Sequence, residues 1–241
     1  MAVAVLRCVG SPQIFGLLLK YMKPTRPASD RLMAIGAVAE VSAQLKQLAA
    51  AYIPHMLPIL AAGLKDENSS VKRNSAYCSG VFCLHCPDQM APFTLQVLQG
   101  LQPLLSDEEE DACRDNALGA ISRIIRGNAA AVPTAELVGL LAQNMPLTGD
   151  EDENAELVSC FLHVYRIMPA ALNPFLGTIV AAFVALLADP EKAKCLGEDA
   201  RKAEMVAFIS HLAREFAGPM QGVFASCPAA HQQWVAANIS C

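Results

Sequence analysis

Apolar residues recur at helical spacing along most of the chain, and each apolar run ends in a short polar corner. Tyr52 to Asp66 (YIPHMLPILAAGLKD) places its apolar side chains three and four residues apart. ENSS then interrupts with Asn and Ser, which favour helix starts over helix interiors, and SVKRNSAYCSGVF resumes the spacing. MAPFTLQVLQGLQPLLSD, an EEED turn and ACRDNALGAISRII repeat the scheme.

The repetition has a measurable period. A basic residue in the first turn of each second helix falls at Arg31, Lys72, Arg114 and Lys202, in steps of 41, 42 and 88, the last being twice 44. The intervening position, Val158, lacks the base. Three and four residues after each anchor come Ala34 and Ile35, Ser75 and Ala76, Ala117 and Leu118, Phe161 and Leu162, Met205 and Val206, which the helical period turns toward a core. Seven and ten residues on lie Val38 and Val41, Ile121 and Ile124, Ile209 and Leu212, with Ser79 a small exception before Phe82. Two helices per 40 to 47 residues, with small residues where helices cross, predict HEAT repeats.

The fold expected is all-α, a right-handed α-solenoid of about five HEAT repeats plus a C-terminal cap. Helix pairs are expected at about 12–49, 52–86, 90–127, 133–168 and 172–217, with the cap at 219–239. Pro24, Pro87, Pro133, Pro169 and Pro219 punctuate these borders, where a missing amide and hindered helical geometry end a helix. No linker divides residues 1–241, so a single solenoid domain is expected. Its first pair starts abruptly, as in the C-terminal part of a longer protein. Trp234, in HQQWVAAN, is expected to cap the last apolar face.

Composition supports helices over sheets: 54% of the residues are hydrophobic but only 6% aromatic. The nine cysteines are an odd number set mostly in apolar helical runs, the pattern of reduced, intracellular thiols. The N-terminal MAVAVLRCVGSPQ is broken by Arg7 and too short for a signal peptide, and is expected to be a leftover helix of a preceding repeat. The longest uncharged window, Arg166 to Asp189, contains Pro169, Asn173 and Pro174. It leaves about fourteen apolar residues where a spanning helix needs roughly 20, so a buried helix is expected and no membrane contact.

Catalytic and metal chemistry find little support. CSGVFCLHC, Cys78 to Cys86, has a C-x4-C-x2-C spacing known from iron–sulfur ligation. On a continuous helix Cys78 and Cys83 point about 140° apart, and core packing is the expectation. The five histidines are scattered, and no nucleophile elbow, P-loop or dinucleotide fingerprint occurs. No enzyme activity, cofactor or metal is expected.

Charge is more informative. Gly100 to Cys160 holds twelve acids against Arg114, Arg123 and Arg126, a local −9 within a total of −5. Phosphate binding needs a basic surface, so nucleic acid is not the expected partner and a basic protein is. Asp66 and Glu67, Asp107 to Asp111, and Asp150 to Glu153 each fall in the turn between paired helices. Capping and the helix dipole explain one or two acids per turn. Five in a row exceed that need, and stacked repeats are expected to align these turns as one acidic rim, continued by Asp115, Glu153 and Glu156.

CRDNALGAISRII (Cys113 to Ile125) and MPLTGDEDENAELVSCFLHVY (Met145 to Tyr165) resemble the carboxy-terminal HEAT repeats of the importin-β (karyopherin-β) superfamily, closest to its histone-carrying members. Asp115, Asn116, Ala117, Gly119, Ala120 and Arg123 match a DNAxGAxxR segment. Pro146, Leu147, Asp150, Glu153 and Asn154 match a PLxxDxxEN segment. The resemblance implies a nuclear import receptor shuttling between cytoplasm and nucleus. It would carry histones H3 and H4, sometimes with a histone chaperone, or ribosomal proteins, and release them to Ran bound to GTP through repeats outside this chain. The extended H3 tail is the expected ligand. Asn74 and Asn116 are the candidates for hydrogen bonds to its backbone. Asp107, Glu110, Asp111, Asp115, Asp150, Glu151, Glu153 and Glu156 are the candidates for its lysines and arginines. The alternative is a static HEAT scaffold that organises other proteins.

Overall fold

A computed structural model describes residues 12–240, which are helical without a strand, consistent with an all-α solenoid. Residues 1–11 of the N-terminal apolar stretch, with Cys8, and Cys241 lie outside the described residues. The helices follow in pairs: α1 (Pro12–Tyr21) and α2 (Ala28–Leu45), α3 (Ile53–Gly63) and α4 (Ser69–His85), α5 (Thr94–Leu101) and α6 (Asp111–Asn128). Next come α7 (Thr134–Asn144) and α8 (Asn154–Ile167), α9 (Leu176–Ala188) and α10 (Asp199–Glu215), then a terminal pair, α11 (Ala217–Ser226) and α12 (Ala229–Asn238). These bounds fall within a few residues of the expected pairs. Two compact units divide between Val132 and Pro133.

In the first unit the second helices α2, α4 and α6 pack in sequence, while α1, α3 and α5 each lie against their own partner. The crossing of α4 and α6 is set by Gly80: a Cβ there would sit 2.7 Å from the Ala120 Cα, so only glycine permits this approach. Ala34, Ile35, Ala76, Phe82, Leu118, Ile121 and Ile124 fill the seams as their spacing predicts. Burial of each large one is worth about 1.5–3 kcal/mol. Ser75 and Ser79 enter the same core because their hydroxyls donate to the carbonyls of Val71 and Ser75, each at 2.7 Å, leaving no orphaned donor.

Local signals fix the helix ends. Asn68 caps α4, its side chain accepting from the Val71 amide at 3.1 Å. The α2 end is less comfortable, since Lys46 takes φ 53° where glycine is favoured. The Lys46 carbonyl accepts the Cys86 thiol at 3.6 Å. Cys78, Cys83 and Cys86 are all buried in the helical packing. Desolvation drives the Cys78 thiol pKa up and that of Cys83 to about 12, which holds both as neutral thiols.

The second unit is built on rings. Phe161 of α8 meets Phe183 of α9 edge-on at 6.3 Å, and Phe183 meets Phe208 of α10 at 5.7 Å. Tyr165 adds an edge contact to Phe208 at 4.9 Å. The helical run Pro169–Ala188 is long and apolar enough by length and composition to cross a membrane. Yet Ile179, Val180, Phe183 and Val184 are each 0% exposed, packed against protein as in a core helix.

Trp234, the expected cap, is half-buried, and Met220, Val235 and Ile239 near it in the chain are buried. The irregularity at Val158 also has a cause. Arg31, Lys72, Arg114 and Lys202 are each the fourth residue of their helix, but the fourth residue of α8 is Leu157. Leu157 and Val158 are both 0% exposed, so this helix spends the basic position on its core.

Candidate functional site

The acid runs lie at three corners, between α3 and α4, α5 and α6, and α7 and α8, as their place in the repeat predicts. At the first, Asp66 is not open to a ligand. Arg31 of α2 donates from Nη2 to both of its carboxylate oxygens at 2.8 and 2.9 Å, and the Asn68 amide donates to it at 3.0 Å. Both charged side chains are less than one-fifth exposed, so the pair is held more firmly than a surface salt bridge. Glu67 beside it is exposed.

The second corner repeats this link and adds to it. Lys72 of α4 pairs with Glu109, again with both side chains largely covered. In the first unit the base of one second helix therefore grips an acid in the next corner, twice in succession. Around that internal pair, Asp107, Glu108, Glu110 and Asp111 remain exposed. Arg114 answers two of them, at 2.6 Å to Asp111 and 3.8 Å to Asp107, within a loose and well-solvated contact. Beneath the corner the Cys113 thiol is pushed up to about 11, by burial first and then by Glu109, with Lys72 opposing.

The third corner, in the second unit, is organised differently. Asn154 is 0% exposed; its Oδ1 accepts from the Leu147 amide at 2.8 Å, and its Nδ2 donates to the carbonyls of Leu147 and Glu151, each at 3.0 Å. One side chain thus clasps both ends of the loop, which also contains a cis Met145–Pro146 bond. Glu153 points inward at 5% exposure, Asp150 is half-buried, and Glu151 and Asp152 are exposed. Cys195 lies close enough for its thiol pKa to be raised by burial and by the charges of Glu151 and Asp152.

The ten expected contact residues therefore separate. Asp107, Glu110, Asp111 and Glu151 are exposed; Asn74, Asp150 and Glu156 are half-buried; Asp115, Asn116 and Glu153 are each no more than 5% exposed. The rim does not continue through Asp115. It stands one helical turn beyond Asp111 and would share its face on an isolated helix, but every residue of α6 from Asp115 to Ile125 is buried. The amides are also committed inside the protein: Asn74 donates to the Leu32 carbonyl of α2 at 2.7 Å, and Asn116 to the Ala112 carbonyl at 2.9 Å.

Arg123 and Asn154 were absent from the expected contacts, and both are structural keys. Arg123 is 7% exposed and stacks over the Tyr77 ring at 4.7 Å, joining α6 to α4. Both segments that carry the family resemblance are therefore largely interior: DNAxGAxxR seats α6, and PLxxDxxEN closes the third corner. What remains available to a partner is carboxylate, most densely from Asp107 to Asp111. Such a surface can hold lysine and arginine side chains, at about 0.2–1 kcal/mol for each exposed pair.

No protein-family profile matches the chain. It is 28% identical over 200 residues to a probable importin subunit beta-4 of Schizosaccharomyces pombe, covering 83% of this chain and 18% of that protein. Against importin-4 of Homo sapiens it is 24% identical over 212 residues, 88% of this chain and 19% of the relative. Against importin-4 of Mus musculus it is 26% identical over 155 residues, 64% and 14%. The chain spans about a fifth of the length of the relatives it matches.

Proposed function

We propose that this chain belongs to the importin-β superfamily, as its homology to importin-4 and importin subunit beta-4 supports, and that it is a cargo-binding segment of a nuclear import receptor. Its ligand in this reading is a basic protein segment, with the tail of histone H3 the preferred case and H3/H4 or ribosomal proteins the wider class. The receptor shuttles between cytoplasm and nucleus, and release by Ran bound to GTP falls to repeats outside this chain.

The observation that carries the proposal is the surplus of charge at the second corner. Glu109 is enough to engage Lys72, yet Asp107, Glu108, Glu110 and Asp111 stand exposed around it. Mutual repulsion makes such a cluster costly to keep, and a cationic ligand relieves it. Binding of a synthetic H3-tail peptide, followed by fluorescence anisotropy, tests this. Affinity is expected to fall steadily with added salt, and to fall about tenfold in a variant with Asp107→Asn, Glu108→Gln and Glu110→Gln.

The inward use of Asp66, Glu109, Asp115 and Glu153 favours a second reading, a scaffold whose carboxylates serve its own packing. That reading predicts partner binding indifferent to both salt and the triple substitution.

A further inference from the structure

The most acidic corner opens on Ser106, an exposed serine directly after the 3-10 turn Gln102–Leu105. Its backbone is extended, φ −67° and ψ 146°, and its Oγ accepts from the Glu108 amide at 3.2 Å. A hydroxyl in that role keeps its own proton free to leave. The five residues that follow are all carboxylates, Asp107 to Asp111. The four that precede it, Gln102 to Leu105, carry no charge, and its successor is aspartate rather than proline.

We propose that Ser106 is a phosphorylation site for an acid-directed serine kinase, one whose substrate cleft is lined with lysine and arginine. A cleft that selects arginine ahead of the acceptor finds none here, and one that selects a following proline finds aspartate. A basic cleft meets exposed carboxylates at Asp107, Glu108, Glu110 and Asp111, on a corner where Ser106 itself is exposed and the chain turns at Asp107 and Glu108.

The corner itself does not require the hydroxyl. One repeat step earlier, 42 residues back, the equivalent position is Leu64, and that corner closes without a serine. The next acid corner also carries a hydroxyl: Thr148 is exposed, with Asp150 and Glu151 two and three residues beyond it. Hydroxyls therefore stand ahead of the two long acid runs and not ahead of the short one.

In the transfer, the kinase supplies MgATP. The bond from the γ-phosphorus to the bridging oxygen of ADP breaks, a bond to Ser106 Oγ forms, the hydroxyl proton passes to the kinase's basic carboxylate, and ADP departs. The product adds a charge of about −1.5 to −2 beside Asp107 and Glu108. Resting on the cargo reading above, this modification raises the hold of the corner on a basic ligand.

The whole chain is incubated with an acid-directed serine kinase and MgATP, and the products are mapped by mass spectrometry. One phosphoryl group is expected on the Ser106 peptide, lost in Ser106→Ala and sharply reduced in Asp107→Asn/Glu108→Gln, which keeps the hydroxyl. Absence of transfer to Ser106, while an acidic reference peptide is turned over, overturns the proposal; so does equal transfer to Ser106 in the double variant. Neither result depends on cargo. Phosphorylated and unmodified chains are then compared for binding of a lysine-rich peptide at low salt, where a two- to fivefold gain, roughly one exposed charge pair, is expected. Equal binding by both forms overturns the regulatory role, whereas loss of binding by both counts against the cargo reading and leaves the modification standing.

Discussion

The corner at Asp107–Asp111 and the corner at Asp150–Glu153 look alike in sequence, each an acid run that leads into a second helix. Their structures differ in where the carboxylates go. In the first, a single acid, Glu109, is tied to Lys72 and the other four face solvent. In the second, Glu153 turns inward, Asp150 is half-buried, and Asn154 clasps the loop by three hydrogen bonds. Charge runs therefore carry two meanings, a displayed field and a closed joint. The bond inventory of the neighbouring residues tells them apart.

Substitutions at the joint sharpen this contrast most. Asn154→Ala leaves the Leu147 amide and carbonyl without their buried side-chain partner and removes a part-buried bond to the Glu151 carbonyl. Chemical denaturation should report a loss of about 2–4 kcal/mol. A loss under about 0.5 kcal/mol would mean the third corner is as open as the second, and the comparison would break.

A smaller effect is expected at the link beneath the second corner. Glu109→Gln removes the charge that answers Lys72, at about 1 kcal/mol, a figure kept low because both groups retain some solvent. Lys72→Met should cost a similar amount, and the double variant less than the two together, because they share one interaction. Strict additivity in that cycle would deny the link.

Cys113 gives a pH readout of the same place. Its thiol is raised from an ordinary 9.0 to about 11 in the folded chain, so the folded state holds the proton more tightly. The stabilisation is complete below pH 9 and is lost as pH rises toward 11, where the unfolded thiol ionises first. Stability measured across that window should fall, and Cys113→Ala should remove part of the slope.

The smallest stability effect belongs to the displayed charges. Asp107→Asn with Glu110→Gln should change unfolding by no more than about 0.5 kcal/mol, with any shift toward greater stability at low salt. A large loss of stability would show these acids to be structural after all.

Much of the architecture was legible in the chain because helical spacing is a local property. The apolar positions three, four, seven and ten residues after Arg31, Lys72, Arg114 and Lys202 are buried or half-buried throughout. The candidate site was legible only as a region. Asp111 and Asp115 are indistinguishable by spacing, one turn apart on one helix, yet one is exposed and the other is 4% exposed. Asn74 read as a free amide, but its partner, the Leu32 carbonyl, lies 42 residues away.

The sequence by itself determined that the chain is helical, where its helices begin and end, and that its corners are acidic, since periodicity, capping and charge are written in neighbouring residues. Only the tertiary structure decided which carboxylates meet a base from another helix, which are enclosed and which face water. Those outcomes depend on groups some forty residues apart in the chain, brought within hydrogen-bond distance by the packing of one helix pair on the next.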